Sequence, residues 1–280
     1  MRPALGRDIP LSGVVLAAAC VLTSLLGAGC RGGEGGGLTL AGSTSVQPIA
    51  ELLGEHYMAT HRGSVINVQG GGSSAGIQAA LSGAADIGMS SRNLKPEETG
   101  LQATVMARDA IVLVVNRDNP VRALTTEQVR GIFSGRTRAW AEVGGTGRRL
   151  TFITREEGSG TRGAFEDLVM KKEEISSDAI VEDSTGAARA IVESDPQAIA
   201  YISFGMVTPG IVPLTLDGVT PSAEAVHSGR YHLARPFLLL TRGAPSGPAA
   251  AFIEYVLSPE AQALVTQEGY VQARPAGSGR

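Results

Sequence analysis

The sequence predicts an α/β fold of two lobes, each with a mainly parallel sheet flanked by helices. The first observation is that short apolar stretches alternate with amphipathic stretches after the first 37 residues, which favours parallel strands covered by helices. The second is a pair of longer apolar stretches, residues 109–117 and 235–242, which are candidates for strands that cross between the lobes. Residues 38–114 and 236–280 would then form the first lobe, and residues 115–235 the second.

The first five elements are predicted as strand, helix, strand, helix and strand. The strands are at LTLAG, SVINVQ and ADIGM, and the helices between them carry apolar residues at intervals of three and four. Thr125 and Gln128 then form the capping-box start of a helix that runs to about Phe133. The other predicted strands are at residues 150–154, 178–183 and 198–203, and the other helices at residues 159–172, from 184, 248–257 and 259–267. In the helix at 159–172, the residues expected to face inward are Ala164, Phe165, Leu168 and Val169.

The N-terminal segment predicts export from the cytoplasm. Arg2 and Arg7 precede an apolar run at residues 11–28, and small residues follow it, so residues 1–29 are interpreted as a signal peptide. The run is also about the minimum length that spans a bilayer, so an uncleaved anchor stays open as an alternative, as does simple secretion.

Cys30 is the candidate site of lipidation. LLGAGC resembles a bacterial lipobox, in which the cysteine becomes the lipidated N-terminus of the mature protein. The match is incomplete because Gly27 stands where leucine is usual, and AAAC, ending at Cys20, is a second candidate. Residues 30–37 would then be the lipidated cysteine and a glycine-rich tether that holds an extracytoplasmic protein at the membrane.

Composition excludes some classes of function. The 280 residues suffice for two lobes, and a formal charge of −3 argues against a nucleic-acid partner, which favours a basic surface. No metal or other cofactor is predicted, and we expect a monomer. The four histidines form no ligand pattern with cysteine or acidic residues: His56, His61, His227 and His232.

Three segments that join a strand to a helix share one chemistry. They are AGSTSVQP (residues 41–48), GGGSSAG (70–76) and EEGSGTRG (156–163), and Arg155 directly precedes the third. A helix N-terminus offers unpaired N–H groups and about half a positive charge, and serine and threonine add hydroxyl donors. Because such joints meet at the carboxyl edge of a parallel sheet, the three together predict a site for a small oxyanion.

Each joint also has a structural interpretation. In this interpretation the joints bind no ligand: the glycines are turn residues and the serines are helix caps, namely Ser43, Ser45, Ser73 and Ser159. Arg155 can be a surface partner of a neighbouring glutamate. The recurrence of the pattern, together with an arginine suited to bidentate recognition of an oxyanion, favours the binding interpretation.

The sequence resembles bacterial phosphate-binding proteins, the extracytoplasmic receptors of ABC-type phosphate uptake. The resemblance is carried by AGSTSVQPIAELL, QGGGSSAGIQAALSGAADIGMSSR and REEGSGTRGAF, in this order, and also by IFSGRTRAWAEVGG and YHLARPFLLLTRG. It covers essentially the whole mature chain, and the GSGT joint with its upstream arginine is its most specific part. It implies a hinged, two-lobe periplasmic-binding-protein fold of type II, high-affinity binding of inorganic phosphate and delivery to an ABC-type phosphate permease in the membrane.

The resemblance also implies roles for single residues. The implied phosphate donors are Ser43, Thr44 and Ser45 at the first joint, Ser73 at the second, and Arg155, Ser159, Gly160 and Thr161 at the third, on the opposite lobe. Asp86 matches the family's aspartate that accepts a hydrogen bond from the bound anion. Since phosphate keeps a proton at neutral pH and sulfate does not, Asp86 would exclude sulfate. A structural aspartate that caps a turn is the alternative.

One departure from the family concerns the residue after Ser90. Some longer members have an acidic residue there, whereas this chain has Ser91-Arg92. If that acid normally braces the site arginine, another residue must brace Arg155. Glu156 and Asp183 are the candidates, and the sequence does not decide between them.

Two other functions are compatible with parts of the sequence. Gly72-Ser73-Ser74-Ala75-Gly76 satisfies the G-x-S-x-G pattern of a serine hydrolase, with His227 and His232 downstream. The sequence has no HGGG-type oxyanion loop, however, and a hydrolase would leave the other two joints unexplained. The second possibility is the same fold with another oxyanion, such as sulfate or molybdate, as its ligand.

Overall fold

The computed structural model describes residues 37–273. The predictions for the signal peptide, Cys20 and Cys30 and for the C-terminal tail from residue 274 therefore lie outside the described residues. The strands are β1 (Leu38–Gly42), β2 (Ile66–Gly70), β3 (Ile87–Ser90), β4 (Leu101–Asn116), β5 (Ala123–Leu124), β6 (Thr151–Arg155), β7 (Ile180–Glu182), β8 (Ala198–Ser203), β9 (Ile211–Pro213), β10 (Thr215–Leu216), β11 (Ala234–Arg242) and β12 (Val271–Gln272).

The helices cover the faces of the strands and follow them along the chain, as the alternating pattern predicts. They are α1 (Gln47–Thr60), α2 (Ser73–Ser82), α3 (Thr126–Phe133), α4 (Gly160–Phe165), α5 (Thr185–Ser194), α6 (Ala223–His227), α7 (Gly247–Val256) and α8 (Pro259–Gln267). Thr125 and Gln128 form the predicted capping box of α3, and each satisfies a backbone N–H of the other. Within residues 37–273, no helix combines the length and apolar character needed to cross a bilayer.

The sheet contains two parallel groups separated by the two long strands. Its order is β2-β1-β3-β11-β4-β8-β6-β7, with β9 and β12 also paired to β4, while β5 and β10 form a separate pair. β1 is parallel to β2 and β3, and β6 is parallel to β7 and β8, but β4 and β11 run antiparallel to their neighbours. The α/β class is confirmed, and the sheet is mixed where the long strands cross.

Two main hydrophobic cores lie along this sheet. The first core is built from residues 38–107 and 237–270, and the second from residues 110–233. β4 joins them because its first part pairs with β11 and its later part, from Ile111, pairs with β8. Residues 110–114, which the sequence assigns to the first lobe, therefore pack in the second core.

The helical segment after β6 differs from the predicted continuous helix over residues 159–172. α4 covers only Gly160–Phe165, and the next five residues, Glu166–Met170, form a wider π-helical turn that ends at Lys171. The wider turn changes the rotation per residue. Leu168, expected to face inward, is consequently 36% exposed, whereas Phe165 and Val169 are buried as expected.

Candidate ligand-binding site

The carboxyl ends of five strands face one another where the two parallel groups of the sheet meet. The three joints predicted from the sequence follow β1, β2 and β6, and the structure adds the loop after β3 and the loop between β7 and α5. The buried hydroxyl residues in these loops are Ser43, Ser45, Ser73, Ser91, Ser159, Thr161 and Thr185. In α/β proteins ligands bind at the carboxyl ends of the strands, because the N-termini of the following helices point there.

Two glycines allow the loops to approach one another closely. A Cβ on Gly42, whose φ is +140°, would collide with the carbonyl oxygen of Met89 in the neighbouring strand. A Cβ on Gly160, at the start of α4, would collide with the hydroxyl of Ser73 at the start of α2. The glycine at position 160 thus lets the helix that belongs to the second core touch the joints of the first.

A network of hydroxyl groups, here called the hydroxyl cluster, fills the space between the loops. Its members are Ser43, Thr44, Ser45, Ser73, Ser91, Thr161 and Thr185. On the side of the first core, Ser43 donates to the Ser91 hydroxyl at 2.9 Å, and the Ser91 backbone N–H donates to Ser73 at 3.0 Å. These three residues come from three different strand ends.

The same cluster connects the two cores. The hydroxyl of Ser45 lies 2.9 Å from that of Thr161 and 2.9 Å from that of Thr185. Ser45 follows β1, whereas Thr161 and Thr185 begin α4 and α5 beside the second core. Since these partners are 116 and 140 residues apart in sequence, the contacts depend on how the two halves of the sheet meet.

Arg155 lies in the centre of this arrangement and its side chain is only 2% exposed. Its Nη1 donates to the Thr185 hydroxyl at 2.8 Å, and its Nη2 donates to Thr44 at 3.3 Å. The surface-partner interpretation of Arg155 is therefore wrong. A buried guanidinium that faces hydroxyl groups supplies fixed positive charge and directed donors at one point.

Glu156 is the carboxylate that braces Arg155. It accepts from Nε and Nη2, both at 3.1 Å, whereas Asp183 contributes only its backbone carbonyl, 3.1 Å from Nη2. Of the two candidates from the sequence, Glu156 and Asp183, only Glu156 therefore pairs its carboxylate with Arg155. Partial burial raises the pKa of Glu156 above its ordinary value of 4.5, and the charge of Arg155 opposes that rise.

Ser159 caps the helix that follows Arg155. Its hydroxyl accepts from the backbone N–H of Arg162 at 3.3 Å, so its side chain has the structural role that the sequence left open as an alternative. The cap holds Gly160 and Thr161 at the first turn of α4, where their N–H groups have no partner within the helix. Ser159 is itself buried at the border of the cluster.

Asp86 is in a different place from the one predicted. β3 is parallel to β1 with Ile87 opposite Leu40, so Asp86 is level with Thr39 at the amino ends of these strands. Its exposed carboxylate accepts from the backbone N–H of Thr39 at 2.8 Å. Thr39 is three residues before Gly42, the last residue of β1, so Asp86 is about 10 Å along the strand from the loops of the site. The assignment of Asp86 as a ligand contact is wrong.

Two residues of the cluster, Ser91 and Thr185, were not predicted as site residues. Ser91 is the residue at which the sequence was expected to depart from some longer family members, but the sequence does not show that its side chain reaches the site. Thr185 lies in EDSTGA, a fourth joint of the same glycine, serine and threonine chemistry between a strand and a helix. That signal was present in the sequence and would have identified it.

The geometry does not assemble a hydrolase or a metal centre in the part of the chain that the structure describes. The nucleophile of the G-x-S-x-G pattern would be Ser74, whose hydroxyl accepts from Nη2 of Arg92 at 3.3 Å, and no histidine among residues 37–273 hydrogen-bonds to it. Among the same residues, no group of three or more metal-ligating side chains comes together. The arrangement of hydroxyls, helix N-termini and one arginine is suited to holding an oxyanion.

The fold and this site together define the class of α/β solute-binding proteins. Residues 30–260 match a family model described as a PBP superfamily domain. The phosphate-binding protein PstS of Bacillus subtilis is 31% identical over 243 residues, which cover 84% of this chain and 80% of that relative.

Two solved structures agree with this match. A Clostridium perfringens protein, described as a phosphate ABC transporter substrate-binding protein and crystallised with bound phosphate, is 35% identical with a TM-score of 0.82 over 85% of this chain and 100% of its own. An ABC-type phosphate transport receptor from Vibrio cholerae is 34% identical with a TM-score of 0.70, over 84% of this chain and all of the receptor. The chain belongs to the PBP superfamily and, within it, to the family of phosphate-binding proteins PstS.

Proposed function

We propose that this protein binds inorganic phosphate with high affinity in the hydroxyl cluster. The single observation that carries the proposal is the position of Arg155, which is buried and directs Nη1 and Nη2 to Thr185 and Thr44. The anion would replace these hydroxyl contacts with hydrogen bonds of its own. Charge-assisted bonds to a guanidinium are about twice as strong as neutral ones, so the exchange favours the bound state.

The proposed ligand contacts come from both cores. The set is Ser43, Thr44, Ser45, Ser73 and Ser91 on the side of the first core, and Arg155, Ser159, Gly160, Thr161 and Thr185 on the side of the second. Ser159 would act through its cap, which holds Gly160 and Thr161 at the first turn of α4, because its own backbone N–H donates to the Glu156 carbonyl at 3.0 Å. Because residues beside both cores would contact one ligand, each core would belong to a separate lobe, with boundaries near residues 108–109 and 234–236. The lobes would close when phosphate binds.

We further propose that the protein delivers phosphate to an ABC-type permease from outside the cytoplasm. The named relatives are binding proteins of phosphate transport, which supports this role and supports a function without catalysis. Anchoring through a lipid on Cys30, monomeric behaviour and the absence of a nucleic-acid partner are part of the same proposal. No relative named above points to sulfate, molybdate or ester hydrolysis.

The test is calorimetric titration of the mature protein without its lipidated cysteine, residues 31–280, after bound ligand has been removed by partial unfolding and dialysis. Phosphate should bind one anion per chain, and sulfate and molybdate at the same concentration should bind far more weakly. Small-angle scattering of the same sample should show a smaller radius of gyration with phosphate. Binding of sulfate in preference to phosphate, or turnover of a p-nitrophenyl ester, would contradict the proposal.

A further inference from the structure

A second buried arginine lies close to the hydroxyl cluster and has no part in the function proposed above. Arg235 on β11 pairs with Asp109 on β4, and the two residues are direct cross-strand neighbours. Nε and Nη2 of Arg235 donate to one carboxylate oxygen at 3.1 and 3.0 Å, and the side chains are 1% and 0% exposed. Both strands run between the two cores, so the pair lies where the halves of the sheet meet.

Each member of the pair also contacts a different half of the protein. The other oxygen of Asp109 accepts from the Ser203 hydroxyl at 2.9 Å and from the Phe204 N–H at 3.2 Å, at the end of β8. Nη1 of Arg235 donates to the backbone carbonyl of Ser91 at 3.4 Å. The pair therefore connects the end of β8 beside the second core with the residue whose hydroxyl joins Ser43 and Ser73 in the cluster.

Stability alone is a poor reason for a buried ion pair. Removing two charges from water is costly, and apolar side chains of similar volume in the same place are often neutral or stabilising. Once the pair is present, however, neither charge can leave its partners without being stranded in an apolar environment. The contacts of the pair are therefore held more tightly than those of a neutral residue, and the Ser91 carbonyl is one of them.

We propose that Arg235 is a positioning residue for the anion site: held by Asp109, it fixes the end of β3 and thereby the hydroxyl and N–H of Ser91. The inference rests on the proposed binding of phosphate in the cluster, which Arg235 reaches only through Ser91. The paired strands β4 and β11 would then keep their position while the lobes close on phosphate. Phosphate affinity then depends on a pair of residues that do not contact phosphate.

The experiment compares three variants of the mature protein. Asp109→Leu/Arg235→Met removes both charges together. Arg235→Lys keeps the charge but replaces the planar guanidinium, with its several donors, by one ammonium group. Gln262→Leu is the matched control: Gln262 is buried and donates to the carbonyl of Met106 on the same strand, away from the cluster. Each variant is measured by thermal unfolding, by phosphate titration and by the amide resonance of Ser91 in ligand-free protein.

We expect the double variant to stay folded, with some loss of stability because the Ser203 hydroxyl and the Phe204 N–H lose their acceptor. It should bind phosphate about tenfold more weakly, the scale of one misaligned hydrogen bond to a charged ligand. Arg235→Lys should be weakened to a smaller extent, and both should shift the Ser91 resonance. Gln262→Leu should lose stability with unchanged affinity and an unchanged Ser91 resonance. This combination separates positioning from a general loss of stability.

Two outcomes would overturn the inference. One is wild-type phosphate affinity together with an unshifted Ser91 resonance in the double variant. If the double variant does not fold, the same result in Arg235→Lys counts instead. The other is loss of affinity in Gln262→Leu in proportion to its loss of stability. Failure of the wild-type protein to bind phosphate would instead contradict the proposed function, and the ligand-free Ser91 resonance would still decide whether Arg235 positions that residue.

Discussion

The hydroxyl of Thr185 accepts a hydrogen bond from Nη1 of Arg155 at 2.8 Å and lies 2.9 Å from the hydroxyl of Ser45. One small side chain thus contacts both the charge of the site and the opposite half of the protein. It is fully buried, and its backbone N–H points to Thr44 at 3.3 Å. The start of α5 therefore takes part in the site as directly as the three joints identified from the sequence.

Thr185→Val should weaken phosphate binding by about 1–2 kcal/mol, because it removes a hydroxyl that would hydrogen-bond to the anion beside Nη1 of Arg155. Valine matches the shape of threonine, so the fold should be kept. Calorimetric titration with phosphate measures the change. Thr241→Val is the control, since that buried hydroxyl donates to the Gly243 carbonyl at 2.9 Å outside the cluster. Equal affinities for wild type and Thr185→Val would remove Thr185 from the site.

Arg155→Ala should weaken phosphate binding by at least about 2 kcal/mol, because a buried charge-assisted interaction is lost. Arg155→Lys should also bind poorly, since one ammonium cannot replace the two donors aimed at Thr185 and Thr44. Arg138→Ala, which changes an arginine with a 62% exposed side chain that pairs with Asp178 on the surface, should leave affinity unchanged. Titration of all three decides the matter, and near-wild-type affinity of Arg155→Ala would exclude a central role.

Asp86→Asn should leave the preference for phosphate over sulfate as it is in the wild type. The carboxylate lies at the amino ends of β1 and β3, where it accepts from Thr39. The measurement is a pair of titrations, one with each anion. A smaller preference for phosphate over sulfate would indicate that Asp86 accepts a hydrogen bond from the proton of phosphate, and it would contradict the geometry.

Ser91→Asp provides the complementary change within the cluster. A carboxylate at this position would accept a hydrogen bond from the protonated oxygen of phosphate. It would repel the oxygens of sulfate, which carry no proton. We expect the preference for phosphate to widen by about 1–3 kcal/mol, the scale for a mispaired buried polar group. Ser91→Asn, which has similar volume and no charge, should not widen it. An unchanged ratio in Ser91→Asp would show that this hydroxyl does not face the ligand.

Glu156→Gln should alter how stability depends on pH. Burial raises the pKa of Glu156 above 4.5, and Arg155 offsets only part of that effect. A carboxyl whose pKa is raised by folding contributes stability that is complete below the unfolded value and is lost as the pH rises through the folded value. The stability of the variant relative to wild type should therefore increase as the pH rises above 4.5, the ordinary pKa of the carboxyl. Urea unfolding of ligand-free protein at several pH values is the measurement, and a constant difference would contradict the prediction.

Cys30→Ala should release the protein from the membrane without affecting phosphate binding. Fractionation of cells that express the full chain, followed by titration of the released protein, measures both properties. Cys20→Ala is the matched control and should leave retention unchanged. Retention of Cys30→Ala would favour Cys20 as the lipidated residue, or an uncleaved anchor.

The features that the sequence predicted correctly are those that depend on neighbouring residues. Apolar spacing identified the helices, Thr125 and Gln128 identified a capping box, and the glycine, serine and threonine joints after β1, β2 and β6 identified most of the hydroxyl cluster. Arg155 was found because it stands directly before a joint and resembles the family motif. A strand end or a helix start requires particular residues within a few positions, whatever the rest of the chain does.

The errors arose where a residue had to be assigned to a place in space. Asp86 was placed at the site although it precedes its strand, and in a parallel sheet that puts it at the edge opposite to the joints. Leu168 was assigned to the core, but a π-helical turn rotated it outward. In both cases the position of the side chain depends on the geometry of the element that carries it.

The sequence by itself determined the class of fold, the chemistry of the joints and the presence of an arginine beside them. Only the tertiary structure decided that Glu156 rather than Asp183 supplies the bracing carboxylate, that Ser91 and Thr185 complete the cluster, and that Arg235 meets Asp109, 126 residues away. Local geometry follows from sterics and hydrogen bonding between near neighbours. Contacts between distant residues depend on strand order and register, because two side chains interact only where the sheet brings them within a few ångströms of each other.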